Sequence, residues 1–103
     1  MSDNPRPDWL KADNSYDLLY PVSFKEGDTP KSLDRLQLRR MTASDRLLTE
    51  EPGKYTNRLI SVLEGISGEP RQLLLKLDVV DLDRIDACLG FFMGAGPATG
   101  ATS

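Results

Sequence analysis

The sequence has 103 residues, a net charge of −3 at pH 7, 39% hydrophobic and 28% charged residues, no histidine and one cysteine. A chain of this length forms one domain at most. The acidic balance argues against binding to nucleic acid or to an anionic membrane surface, because both require clustered cations. The densest basic group is Arg35, Arg39 and Arg40, which is too small for such a footprint.

Few residues are available for chemistry. Histidine, the commonest acid–base residue, is absent, so Cys88 has no imidazole to activate its thiol. A lone cysteine also excludes an internal disulfide. Four nearby aspartates lack the glycine and the alternate spacing of a calcium loop: Asp78, Asp81, Asp83 and Asp86. The sequence predicts no enzyme activity, no cofactor, no metal site, and neither a leader peptide nor a membrane span.

The first half of the chain predicts a β-hairpin. Residues 1–16 are polar and punctuated by proline and asparagine, which predicts a disordered N-terminal arm with Trp9 as an isolated apolar anchor. Alternation then predicts an edge strand with four apolar residues on one face: Leu18, Tyr20, Val22 and Phe24. After a turn, a second strand places Leu36 and Leu38 on one face. The predicted hairpin covers residues 17–40.

Residues 42–93 are predicted to be helical. Thr42 and Asp45 fit a capping box at the start of the first helix. The second helix has an amphipathic pattern with one apolar face: Tyr55, Leu59, Val62, Leu63 and Ile66. Asp81 is the predicted N-cap of the last helix. The predicted fold class is therefore α+β, with an N-terminal β-hairpin followed by a small bundle of three to four short helices.

The end of the last helix is the strongest functional signal. An apolar stripe runs along this helix: Leu82, Ile85, Leu89 and Phe92. The helix ends in Phe91, Phe92 and Met93, and the single domain predicted over residues 17–93 then gives way to a flexible Gly/Ala/Thr tail over residues 94–103. Such a tail cannot cover an apolar helix end, so the sequence predicts a binding protein whose partner supplies the cover.

The order of these elements resembles a known family. Three motifs carry the resemblance: the end of a strand reading LQLRRMT followed by Asp45, a helix that ends in GISG, and a final "DLxxIxxxLxxF" helix. They resemble the small tail assembly chaperones of long-tailed phages, in the group found in Mu-like and P2-like phages and prophages. The resemblance covers residues 18–93. One departure is Met41, which stands where proline is common in the family.

The resemblance implies a non-catalytic assembly factor in the host bacterial cytoplasm. Such chaperones are thought to coat the long, largely helical tape measure protein until tail tube protein polymerises around it. A longer product made by ribosomal frameshifting often adds the part that recruits tube subunits. The implied partners are the tape measure protein and the tail tube protein, with no nucleic acid and no membrane.

Eight residues form the predicted partner-binding surface: Tyr55, Leu59, Leu82, Ile85, Leu89, Phe91, Phe92 and Met93. Ordinary core packing also accounts for the first five. Phe91, Phe92 and Met93 are the better interface candidates, because consecutive helix positions cannot all face one core. These residues could instead close a homo-oligomer. Two other classes stay open: a structural tail or baseplate component retained in the virion, and a small acidic regulatory binding protein.

Overall fold

The structure is a computed structural model that describes residues 6–94. Within this range the chain forms an antiparallel hairpin and four helices: β1 (Ser15–Glu26), β2 (Thr29–Gln37), α1 (Ala43–Thr49), α2 (Tyr55–Ser67), α3 (Arg71–Leu74) and α4 (Val79–Gly94). The α+β prediction, with an N-terminal hairpin followed by short helices, is confirmed. The predicted flexible tail lies outside the described residues except for Gly94, and so do residues 1–5 of the predicted arm.

The hairpin turns tightly at its far end. Glu26 pairs with Thr29, so the loop between the strands is only Gly27 and Asp28. Gly27 has φ 65°, a left-handed conformation that glycine adopts without steric cost. A glycine at the first central position is the signature of a type II′ turn, which matches the natural twist of two antiparallel strands.

A large bulge interrupts the pairing of the two strands. Asp17 pairs with Arg35 and Val22 pairs with Leu33, so residues 18–21 of β1 stand opposite one residue of β2. The prediction that Tyr20 shares the buried face of this strand is wrong, since its side chain is 55% exposed. The bulge breaks the ladder at this point, so Tyr20 does not follow the alternation that buries its neighbours in the strand.

The core lies between one face of the hairpin and the helices. β1 packs on α4, β2 packs on α2, and α2 also packs on α1 and α3. The most deeply buried apolar side chains come from every layer: Tyr16, Leu36, Ile60, Leu63, Leu74, Ile85 and Cys88. A two-stranded hairpin is marginal by itself in water, so this packing is what keeps it folded.

Two predicted helix signals are confirmed and one is corrected. Thr42 and Asp45 form the predicted capping box at the start of α1. Gly68 ends α2 with φ 75° in the left-handed conformation. At the start of α4, however, the Asp78 carboxylate accepts the Val80 backbone N–H at 2.9 Å. Asp81 is the third residue of α4 and not its N-cap, which leaves its carboxylate free for another role.

The prediction of a disordered arm is wrong for residues 6–16. Ser15 and Tyr16 already belong to β1, and the side chain of Leu10 is only 3% exposed. The Trp9 indole N–H donates to the Arg84 carbonyl at 3.0 Å, which ties this stretch to α4. Polar composition suggested disorder, but two large apolar side chains are enough to hold a short stretch against a helix. Residues 6–14 are called the N-terminal strap below.

Candidate binding site

The last three large side chains of α4 point to three different surroundings. Successive helix residues are rotated by about 100°, so neighbours in sequence cannot share one face. Phe92 lies in the core with 5% of its side chain exposed. Phe91 is half-buried, with the Arg6 guanidinium of the strap 5.1 Å from its ring centroid. Met93 is 46% exposed and is the one of the three that faces an open surface.

Met93 stands at the edge of an apolar groove of about 170 Å³ between α2 and α4. Six apolar residues form most of its walls: Met41, Tyr55, Leu59, Val62, Leu89 and Met93. An engineered apolar cavity of about 150 Å³ accepts benzene, so this groove has room for one large apolar side chain. A partner would therefore insert an anchor residue here, and the body of the partner would lie outside.

A hydrogen bond crosses the mouth of the groove. The Tyr55 hydroxyl at the start of α2 donates to Asp86 Oδ1 of α4 at 2.5 Å. This bond, together with partial burial, raises the pKa of Tyr55 to about 12, so the hydroxyl stays protonated at neutral pH. The Arg58 guanidinium lies 5.9 Å from the centroid of the same ring. Tyr55 is 58% exposed, so its ring forms a fixed apolar wall that a partner can reach.

The groove continues past Met41 and Met93 onto a shallower surface beside α1. This α1 shelf is defined by Leu47, Arg46, Glu50 and the edge of Phe92, and Met41 and Met93 line both sections. Leu47 projects from the shelf with 65% of its side chain exposed. Methionine side chains are unbranched and adapt to differently shaped partners, so the two methionines make a deformable boundary between the sections.

The structure brings together half of the eight predicted binding residues. Tyr55, Leu59, Leu89 and Met93 line the groove, although Leu59 and Leu89 are themselves buried in its floor. The other four are placed elsewhere: Ile85 and Phe92 are in the core, Leu82 is half-buried against it, and Phe91 faces the strap.

Sequence reasoning missed Met41, Val62 and Leu47 as parts of the surface. Val62 was in the helix pattern and could have been found from its position beside Leu59. Met41 is in a connecting stretch and Leu47 is on another helix, so no local pattern indicates that they lie beside α4.

A buried carboxylate fixes where α4 meets the hairpin. Asp81 has no exposed surface, and it accepts the backbone N–H groups of Leu19 at 2.9 Å and Tyr20 at 3.0 Å. The Tyr16 hydroxyl also donates to it. Three donors compensate the cost of burying the carboxylate, which would be prohibitive without partners. Burial, followed by the bond to Asp81, raises the pKa of Tyr16. The bulge of β1 therefore presents its free N–H groups to α4.

Within residues 6–94, no three cysteine, aspartate or glutamate side chains are grouped closely enough to hold a metal ion. Cys88 is fully buried, and burial raises its pKa to about 11, so the reactive thiolate does not form at neutral pH. None of the helices in this range is long and apolar enough to cross a membrane.

Comparison with known proteins gives no match: no family model, no curated protein and no solved structure is detectably similar to the chain. The groove between α2 and α4 has a size and a lining that define what it can bind.

Proposed function

We propose that the chain is a non-catalytic phage tail assembly chaperone that binds amphipathic helices of the tape measure protein in the host bacterial cytoplasm. The sequence resemblance suggests the partner, and the groove between α2 and α4 provides a place for it. The single observation that carries the proposal is this groove, which exposes Tyr55 and Met93 above a floor of buried leucine and valine side chains. Exposed apolar surface of this kind marks a site of interaction.

The shape of the site suits a helical partner. The part of α4 that lines the groove runs from Asp86 to Met93, with Leu89 between them. This stretch is about 10 Å long at 1.5 Å per residue, or about two helical turns. A helix that lies along it would insert one anchor side chain into the groove and place the rest of its apolar face on the exposed rim, as helices in grooves commonly do.

The size and lining of the groove suit a partner with many similar sites. Only one large side chain fits in the groove, so each contact depends on one residue of the partner and selects only weakly for the partner's sequence. The deformable Met41 and Met93 tolerate leucine, phenylalanine or isoleucine as the anchor. A chaperone that coats a long helical protein needs this tolerance, because each copy meets a different stretch of it. Tail tube protein would then replace the chaperone during assembly.

Co-expression with the tape measure protein of the same phage tests the proposal. We expect the wild-type chain to increase the soluble fraction of the tape measure protein and to be purified with it. Met93→Asp should abolish both effects, since a carboxylate would be placed in the apolar groove. The matched control is Leu75→Asp, because Leu75 is 63% exposed and does not line the groove. If the tape measure protein is equally soluble with and without the chain, the proposal is wrong.

The mature particle provides a second readout. A chaperone leaves the complex when the tube forms, so quantitative mass spectrometry of purified particles should detect no stoichiometric amount of the chain. A stoichiometric amount of the chain in the particle would mean that it is a structural component of the tail or baseplate and not a chaperone.

A further inference from the structure

We infer that the chain forms a two-fold symmetric homodimer in which Leu47 of each copy fills the groove of the other. Leu47 projects from the α1 shelf with 65% of its side chain exposed. Beside it, beyond Met41 and Met93, lies the groove with space for one side chain of leucine size. A projecting residue and a matching hole on one surface are what a two-fold interface requires, since the same patch must complement itself.

The charges on this face also match a second copy. Four charged residues line the groove and the α1 shelf, two of each sign: Arg46, Glu50, Arg58 and Asp86. The face therefore carries no net charge, whereas the whole chain carries −3. Arg46 and Glu50 lie 4.0 Å apart within one copy, and Asp86 accepts from Tyr55, so two copies that meet here avoid the repulsion that their other surfaces would produce. These charges form the polar rim around an apolar centre, as interfaces commonly have.

The dimer requires only the geometry of the groove and does not depend on which partner the chain serves. It has one consequence for the proposed function, because Leu47 of a second copy and an anchor side chain of a partner helix cannot occupy the groove together. The dimer would thus protect the apolar face until a partner helix replaces the second copy.

Sedimentation equilibrium of the isolated full chain over a series of concentrations tests this inference without any phage partner. We expect a species of twice the 11.4 kDa chain mass. Leu47→Asp should weaken dimerisation by about ten-fold or more, because it removes the central apolar contact. Leu75→Asp is the matched control, since that leucine is 63% exposed and lines neither the groove nor the α1 shelf. Circular dichroism establishes that both variants are folded.

Cysteine cross-linking tests the two-fold arrangement itself. In a Cys88→Ser background, Leu47→Cys and Met93→Cys chains should form a disulfide when mixed, because each residue lies against the other across the interface. The same chain with Leu75→Cys in place of Leu47→Cys should not cross-link to Met93→Cys. A monomer at all concentrations overturns the inference. A dimer that Leu47→Asp leaves intact, or that Leu75→Asp weakens equally, overturns it as well.

Discussion

The two sides of the C-terminal end of α4 differ in what covers them. Phe91 and Met93 are both large, apolar and two positions apart, and both precede the end of the described helix. Phe91 is half-buried beneath the strap, with Arg6 above its ring. Met93 remains 46% exposed above the groove. An apolar helix end therefore does not by itself show a missing partner, since the chain can supply its own cover from residues far away in sequence.

The contacts of α4 also differ between the strap side and the groove side. On the strap side, Arg84 contacts Trp9 twice, through its carbonyl at 3.0 Å from the indole nitrogen and through its guanidinium at 4.7 Å from the ring centroid. On the groove side, the Tyr55 hydroxyl of α2 donates to Asp86 of α4 across the opening. The first side is packed as part of the fold, and the second leaves the side chains of Tyr55 and Met93 accessible.

The contact on which both sides depend is Asp81, because it fixes α4 against the hairpin. Asp81→Ala removes the acceptor of three donors and leaves the Tyr16 hydroxyl buried without this partner. We expect the free energy of unfolding to fall by about 3 kcal/mol, measured by urea denaturation. Asp83→Ala on the exposed side of the same helix is the control and should leave the midpoint unchanged. Equal midpoints for the two variants would contradict the anchoring role of Asp81.

The strap side is tested by Trp9→Ala. The variant should lose about 2 kcal/mol of stability, less than a fully buried tryptophan would, because Trp9 is half-buried. It should also raise the rate at which Cys88 reacts with a thiol reagent under native conditions. Burial keeps the pKa of Cys88 near 11, while the nearby Trp9 side chain lowers that pKa, so a faster reaction would report exposure of the thiol and not the loss of its bond to Trp9. Tyr20→Ala, an exposed aromatic of the bulge, should change neither quantity. A Cys88 rate unaffected by Trp9→Ala would show that the strap does not cover this face.

Much of the fold could be predicted because its signals are local. The capping box of Thr42 and Asp45 needs four consecutive residues, and the end of α2 needs only Gly68. The apolar face of α2 is likewise visible in its spacing. Each of these follows from interactions within one or two helical turns, which a sequence displays directly.

The errors come from contacts between distant parts of the chain. Asp81 has the spacing of a helix cap, and only its partners in the bulge, Leu19 and Tyr20, turn it into a buried anchor. Trp9 was correctly singled out as an apolar anchor, but its helix neighbour lies 75 residues away. The groove depends on such contacts as well, because Met41 and Leu59 meet Leu89 only after the hairpin and helices have packed.

The smallest expected effect concerns the α1 side of the groove, which the capping box holds in place. The Arg39 guanidinium donates to Asp45 Oδ2 at 2.7 Å and, with the Thr42 bonds, lowers the pKa of Asp45 below its ordinary 3.8. A carboxyl whose pKa falls on folding stabilises the fold fully above its unfolded pKa and loses this effect as the pH falls through the lowered value. Asp45→Asn should therefore cost about 1 kcal/mol at neutral pH.

The two curves of stability against pH should converge as the pH falls below 3.8, because protonation removes from the wild type the same charge that the substitution removes. Urea denaturation at a series of pH values measures this difference, with Asp83→Asn as the control on an exposed carboxyl. A difference that stays constant from neutral to acid pH would assign the loss to packing around Asp45 and not to its charge. A difference that shrinks would assign the loss to the charge of Asp45, whose bonds with Arg39 and Thr42 hold the start of α1 in place.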